Sequence, residues 1–246
     1  PSPKLKHVEC AIPLLKTTIE KEVDQDILVD SLWALSYISD GENERIQAVI
    51  DSGVVPFLIA KLESQEIKVL VPALRTVGNI ATGNDQQTEV LLSFSNLVGT
   101  LMSIAQNGKH SLKKEALWTL SNITAGNEQQ IETVTSSVVN IQNLMKCCLN
   151  ENEDVAKEAT YVLANACSGG TPVQVQRLVN EGVMECLATM LQREKTVLVA
   201  LEGLDAILNS WDQENETNPY ATRMEEKGIV DYIEKLQEHP NDLVYQ

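Results

Sequence analysis

A chain of 246 residues, 43 % hydrophobic and 22 % charged, can hold a substantial core but is too polar for membrane spans; no run approaches the ~18 consecutive apolar residues a spanning helix needs. Nineteen Lys and Arg stand against 35 Asp and Glu, a net charge of −16, which solubility alone explains but which also attracts basic partners and disfavours direct contact with nucleic acid or an anionic membrane. The five cysteines (Cys10, Cys147, Cys148, Cys167, Cys186) have no CxxC spacing and no neighbouring histidine, so they read as free thiols of a reducing compartment rather than as disulfides or metal ligands.

In chain order, the first segment opens on Pro1 without an initiator Met and reads as a cut through a longer array. One apolar helical motif then returns four times, as Asp30-Ser-Leu-Trp33-Ala-Leu-Ser-Tyr37, Val71-Pro-Ala-Leu-Arg75-Thr-Val-Gly-Asn79, Lys114-Glu-Ala-Leu-Trp118-Thr-Leu-Ser-Asn122 and Lys157-Glu-Ala-Thr-Tyr161-Val-Leu-Ala-Asn165. Its anchors stand 42, 43 and 43 residues apart, within the roughly 40–47 residues of an armadillo or HEAT repeat.

Each anchor helix ends on Asp40-Gly41, Thr82-Gly83, Gly126 or Ser168-Gly169-Gly170, stops that suit a left-handed glycine just past a helix. A short polar-amphipathic stretch follows each stop, then a turn and a long apolar helix. In the third copy these are 128–135, Ser136-Ser137 and 138–148. The apolar helices open alike, at Gly53-Val-Val-Pro56, Asn96-Leu-Val-Gly, Gly182-Val-Met-Glu and Gly228-Ile-Val-Asp.

Three helices per repeat, with no competing period-2 run, predict an all-α chain. One unit cannot bury its own apolar face, so the repeats are expected to stack as a single domain over 1–246, about five to six repeats long. Residues 192–211 keep the helical period without the polar partner, 212–218 read as a longer loop, and 212–246 as a divergent, charged C-terminal cap.

Catalysis has little support. His7, His110 and His239 fall in loops or at ends, and no nucleophile, metal or phosphate-cradle motif is present; neither an enzyme nor a cofactor is expected.

A residue and its i+4 neighbour share a helix face, so Trp118 lies beside Asn122 and Tyr161 beside Asn165. Equivalent helices about 10 Å apart would turn these pairs into a ladder, which an extended peptide, advancing up to ~3.3–3.6 Å per residue, meets about every third residue. A carboxamide donates to and accepts from a peptide backbone. Indole faces take the aliphatic stem and the charge of Lys or Arg, and Glu115 and Glu158, three residues before Trp118 and Tyr161, stand where they could receive the charged head. A periodic helical Trp or Tyr taken alone is usually core, and the two glutamates alone read as a solvated face. Three matching mid-helix asparagines (Asn79, Asn122, Asn165) fit a core poorly. The expected ligand is basic and extended.

The same motifs, with Ser168-Gly-Gly-Thr-Pro172, closely resemble the importin-α family over essentially the whole chain, from its middle repeats to its last. The resemblance implies a right-handed superhelical solenoid of armadillo repeats that shuttles between cytoplasm and nucleus and carries basic cargo. It implies a minor site for localisation peptides, with Asn79, Asn122 and Asn165 on the peptide backbone, Trp118 and Tyr161 as walls, and Glu115 and Glu158 as acidic receivers. Thr82, Asp85, Thr88 and Ser121 match further contact positions. Arg75 in place of an aromatic, and Tyr37 in place of an Asn, match the family's break between its two sites; both, with Trp33, stand among the candidate peptide-binding residues.

Tyr161 stands where the family usually has Trp, a weaker cation platform. The importin-β-binding segment is absent from the sequence, and the resemblance places an export receptor and a nuclear-pore protein on the C-terminal repeats. The competing reading is an armadillo scaffold that binds a folded or non-basic partner through its outer or C-terminal surface.

Overall fold

The computed structural model describes residues 3–21, 24–211, 217–241 and 244. Among these there is no strand, and no single helix is long and apolar enough to cross a membrane. The loop expected at 212–218 lies outside the described residues except for 217 and 218, as does part of the C-terminal cap. The chain divides into two compact units, Pro1–Ile123 and Thr124–Gln246.

The first unit holds α1 (Ile12–Lys21), α2 (Gln25–Ser39), α3 (Asn43–Asp51), α4 (Val55–Lys61), α5 (Ile67–Ala81), α6 (Asp85–Leu92), α7 (Leu97–Asn107) and nearly all of α8 (His110–Thr124). From α2 onward they run as triplets of one anchor helix, one short helix and one apolar helix. Asp24 starts α2 by accepting from the amides of Asp26 and Ile27, at 2.9 and 3.2 Å. Asn84 and Gln87 start α6 with a reciprocal capping box, which satisfies two of the amides a helix start leaves without partners. Leu32, Leu35, Ile46, Leu58, Leu74, Ile80, Leu91, Leu101 and Leu117 are fully buried between the layers, each contributing about 1.5–3 kcal/mol of burial.

The second unit holds α9 (Glu128–Thr135), α10 (Val138–Asn150), α11 (Glu153–Gly169), α12 (Pro172–Asn180), α13 (Val183–Met190), α14 (Val197–Asn209), α15 (Pro219–Glu226) and α16 (Ile229–Lys235). The period seen over 192–211 settles into α14, whose preceding residues turn instead. Asn127, Asn152, Thr171 and Asn218 cap their helices through side-chain oxygens. Helix α14 packs closely on α11 because Gly203 has no Cβ; one added there would lie 3.1 Å from Ala164 Cβ.

A second polar device recurs outside the anchor motif. Gln87 Nε2 donates to Asn43 O at 2.9 Å and Gln47 Oε1 at 3.0 Å, while Gln87 Oε1 accepts from the amide of Asn84, the N-cap of α6. Gln174 repeats this in the second unit, with Nε2 donating to Glu128 O at 2.9 Å and Glu132 Oε2 at 2.8 Å. The third residue of the short helix therefore pins it to the short helix of the preceding repeat.

The glycine reading needs correction. Among the expected helix stops only Gly41 has a positive φ; Gly170 is held by close approach, because an added Cβ would meet the backbone Ala166 O at 2.5 Å, and at Gly83 it would displace the Gln87 side-chain amide. The left-handed positions are Gly53, Gly182 and Gly228, which turn the chain into the apolar helices. Asn96, at the equivalent place, keeps an ordinary φ of −84°.

Candidate functional site

In the first unit the anchor helices α2, α5 and α8 bring together most of the residues expected to form rungs. On α2, Trp33 and Tyr37 stack with centroids 6.1 Å apart and planes inclined by 29°. Tyr37 is 67 % exposed, a large aromatic surface left open to solvent.

Between α5 and α8 the packing is specific. The Trp118 indole lies against Gly78, where an added Cβ would come within 2.5 Å of Trp118 Cζ3 and 2.9 Å of Thr119 Oγ1. The Arg75 guanidinium lies over the same indole, 5.7 Å from its centroid, and Nη2 donates to Glu115 Oε1. The cation therefore bridges an aromatic face and a carboxylate contributed by the neighbouring helix. Gly78 was part of the recurring motif, but its task as the floor under Trp118 is a property of packing and not of spacing.

Two polar atoms on α8 are buried and have no hydrogen-bond partner: Glu115 Oε2, an acceptor, and Asn122 Nδ2, a donor. They lie on either side of Trp118, two turns of helix apart. Buried polar groups are normally paired, and leaving one unpaired costs roughly 1–3 kcal/mol. Beside the Trp118 ring they offer a ligand one acceptor and one donor.

Asn79 behaves differently from the clamp the resemblance implies. It is 5 % exposed, and its Nδ2 donates to Ser36 O at 2.9 Å and Ser39 Oγ at 3.0 Å, so it ties α5 to the end of α2. Thr88 is also buried, at 3 % exposure, on the packed side of α6. Ser121 is buried and donates to Trp118 O at 2.9 Å. Thr82 and Asp85 are exposed at the α5–α6 turn, and Thr82 Oγ1 donates to Asn79 O at 2.7 Å. Buried Asn79 and Thr88 serve packing first, because only a solvent-facing position on an anchor helix is open to a ligand.

In the second unit, Glu158, Tyr161 and Asn165 share α11 and are half-buried. Lys157 Nζ lies 5.6 Å from the Tyr161 ring centroid, a contact whose only signal in the sequence is the i, i+4 spacing of the two residues. Among the described residues no group of three or more His, Cys, Asp or Glu could hold a metal ion. Cys147, Cys148, Cys167 and Cys186 are buried and Cys10 is exposed, all as free thiols. Burial pushes the Cys167 thiol up to about 12, so it stays protonated and weakly nucleophilic.

Residues 42–82 match the model of the armadillo/beta-catenin-like repeat. The chain is 44 % identical to importin subunit alpha-1b of Oryza sativa subsp. japonica and 46 % identical to importin subunit alpha-3 of Arabidopsis thaliana, in each case over 100 % of this chain and 47 % of the relative. It therefore spans about half the length of these relatives. A crystal structure of computationally designed armadillo repeat proteins for modular peptide recognition superposes with a TM-score of 0.85 at 28 % identity, covering 95 % of both chains. A designed armadillo repeat protein in complex with the peptide (KR)4 does so with a TM-score of 0.85 at 29 % identity, covering 95 % of this chain and 94 % of that one. The chain belongs to the importin-α family, as a segment built of armadillo repeats.

Proposed function

We propose that this chain is the cargo-binding segment of a nuclear-import adaptor and takes basic, extended localisation peptides on the exposed face of its anchor helices. The observation that carries the reading is the pair of unpartnered buried atoms on α8. Glu115 Oε2 is placed to accept from a ligand ammonium or guanidinium, and Asn122 Nδ2 to donate to a peptide carbonyl, with the Trp118 ring between them for an aliphatic stem. Glu158, Tyr161 and Asn165 on α11 offer the same set of chemistries. The net charge of −16 favours encounter with a basic ligand, since clustered charge steers association. The (KR)4 peptide bound by a designed relative of similar fold is of that class.

Shuttling between cytoplasm and nucleus belongs to the same proposal, as do an export receptor and a nuclear-pore protein at α15 and α16. The rival reading, a scaffold for a folded or non-basic partner, draws on one observation: Arg75 and Lys157 already lie over Trp118 and Tyr161. Fluorescence anisotropy with labelled (KR)4 separates the two. Saturable binding that weakens at least tenfold in Glu115→Gln/Asn122→Ala supports the peptide site; binding that the double substitution leaves unchanged, or no binding by the wild type, favours the scaffold.

A further inference from the structure

We infer that Arg75 is an internal competitor for the cation seat formed by Trp118 and Glu115, so that a basic ligand side chain enters this rung by displacing it; the inference rests on the peptide reading above. The seat is complete without any ligand. Gly78 leaves room for the indole, the Arg75 guanidinium covers the ring at 5.7 Å, and Glu115 Oε1 accepts from Nη2. An aromatic face and a carboxylate are the two groups that a Lys or Arg of a ligand would seek.

The resident is held weakly and fills the seat incompletely. The Arg75 side chain is 47 % exposed and so already partly hydrated, against 19 % for Glu115, and partly solvated ion pairs contribute little. Glu115 Oε2 still has no partner with Arg75 in place. A ligand that brings a cation to that second oxygen and a carbonyl to Asn122 Nδ2 would satisfy both atoms, which Arg75 does not.

The second unit carries a counterpart in a different form. Lys157 Nζ lies over the Tyr161 ring from four residues earlier on the same helix. On α2, by contrast, Trp33 and Tyr37 cover each other. Arg75 is the case where the occupant reaches across from another anchor helix and also takes the carboxylate.

Two measurements on the whole chain test this. The first needs no ligand: quenching of tryptophan fluorescence by iodide and by caesium, with the Trp118 part taken as the difference from Trp118→Phe, because three tryptophans are present. With Arg75 over the ring, iodide quenches Trp118 more effectively and caesium less; Arg75→Gln should reverse that preference. The second is (KR)4 affinity, with Lys68→Gln as the control for an equal change in net charge; Lys68 lies about two turns before Arg75 on α5, 3.6 Å from Asp26.

Removing the competitor should tighten (KR)4 binding about threefold to tenfold, against less than twofold for Lys68→Gln. Unchanged quenching in Arg75→Gln overturns the inference whatever the peptide does. Reversed quenching with an affinity that stays the same or weakens also overturns it, while leaving the peptide reading intact. If neither wild type nor Arg75→Gln binds (KR)4, the peptide reading and this inference fall together.

Discussion

Helices α8 and α14 hold the same place in their repeats and carry opposite chemistry. On α8 the corresponding positions are Glu115, Trp118 and Asn122, half-buried side chains among which one buried acceptor and one buried donor have no partner. On α14 the corresponding stretch offers Leu201, Leu204 and Leu208, and these line a cleft of about 510 Å3 together with Ile233, Leu236 and Val244 of the chain's own C-terminal end. Leu204 is 1 % exposed and Val244 6 %. An apolar anchor face draws the chain's own apolar C-terminal residues towards it because apolar surface is driven from water, burying Leu204 and leaving Leu201 and Leu208 half-buried; the aromatic and amide face of α8 offers polar partners instead.

The largest effect that would sharpen this contrast is Leu204→Ala. It removes a buried side chain from the closed face and should cost about 2–5 kcal/mol in urea unfolding, with little change in (KR)4 affinity for the protein that remains folded. The open face should respond the other way. Gly78→Ala pushes a Cβ to within 2.5 Å of Trp118 Cζ3, an overpacking worth about 1–3 kcal/mol, and by turning the indole it should also weaken (KR)4 binding. If Gly78→Ala binds the peptide as the wild type does, Trp118 is not part of the site.

Asn79→Ala separates a strut from a clamp. Losing its bonds to Ser36 and Ser39 should destabilise the chain by about 1–3 kcal/mol, while (KR)4 affinity holds within about twofold; a large loss of affinity would make Asn79 a peptide contact. The smallest effect belongs to the second unit's polar lock. Hydrogen bonds from Arg177, and then from Gln174, hold the Glu132 carboxyl below its ordinary value. A depressed folded value means the stabilisation is complete above the unfolded carboxylate's pKa, about 4.3, and is lost as pH falls through the lower folded value. Replacing Glu132 with Gln should flatten the acid limb of a thermal-stability profile by a small amount, because the pair is partly solvated.

The local grammar was readable in the sequence because it is written locally. The short helix Glu128–Thr135 and its Ser136-Ser137 break fall where the apolar spacing put them, and the 43-residue step of the anchors reappears in the helix triplets. Pairings that depend on which repeats touch were not readable. Arg75 meets Glu115 across 40 residues, and Gln174 reaches Glu128 across 46; nothing in either residue's own neighbourhood announces its partner. Asn79, Asn122 and Asn165 look alike in sequence, yet packing buries the first against α2 and leaves Asn122 Nδ2 without an acceptor. Burial is decided by the neighbouring repeat, so Asn79 and Asn122, at identical motif positions, acquire different roles.

The most direct test of the central claim follows the Asn122 side-chain amide by NMR while (KR)4 is added to the whole chain, with Asn122→Ala supplying the assignment. If a peptide carbonyl supplies the missing acceptor, the Asn122 Nδ2 protons move downfield in saturable fashion, along the same curve as the anisotropy. Peptide binding with an unmoved Asn122 amide would place the ligand elsewhere and contradict the account.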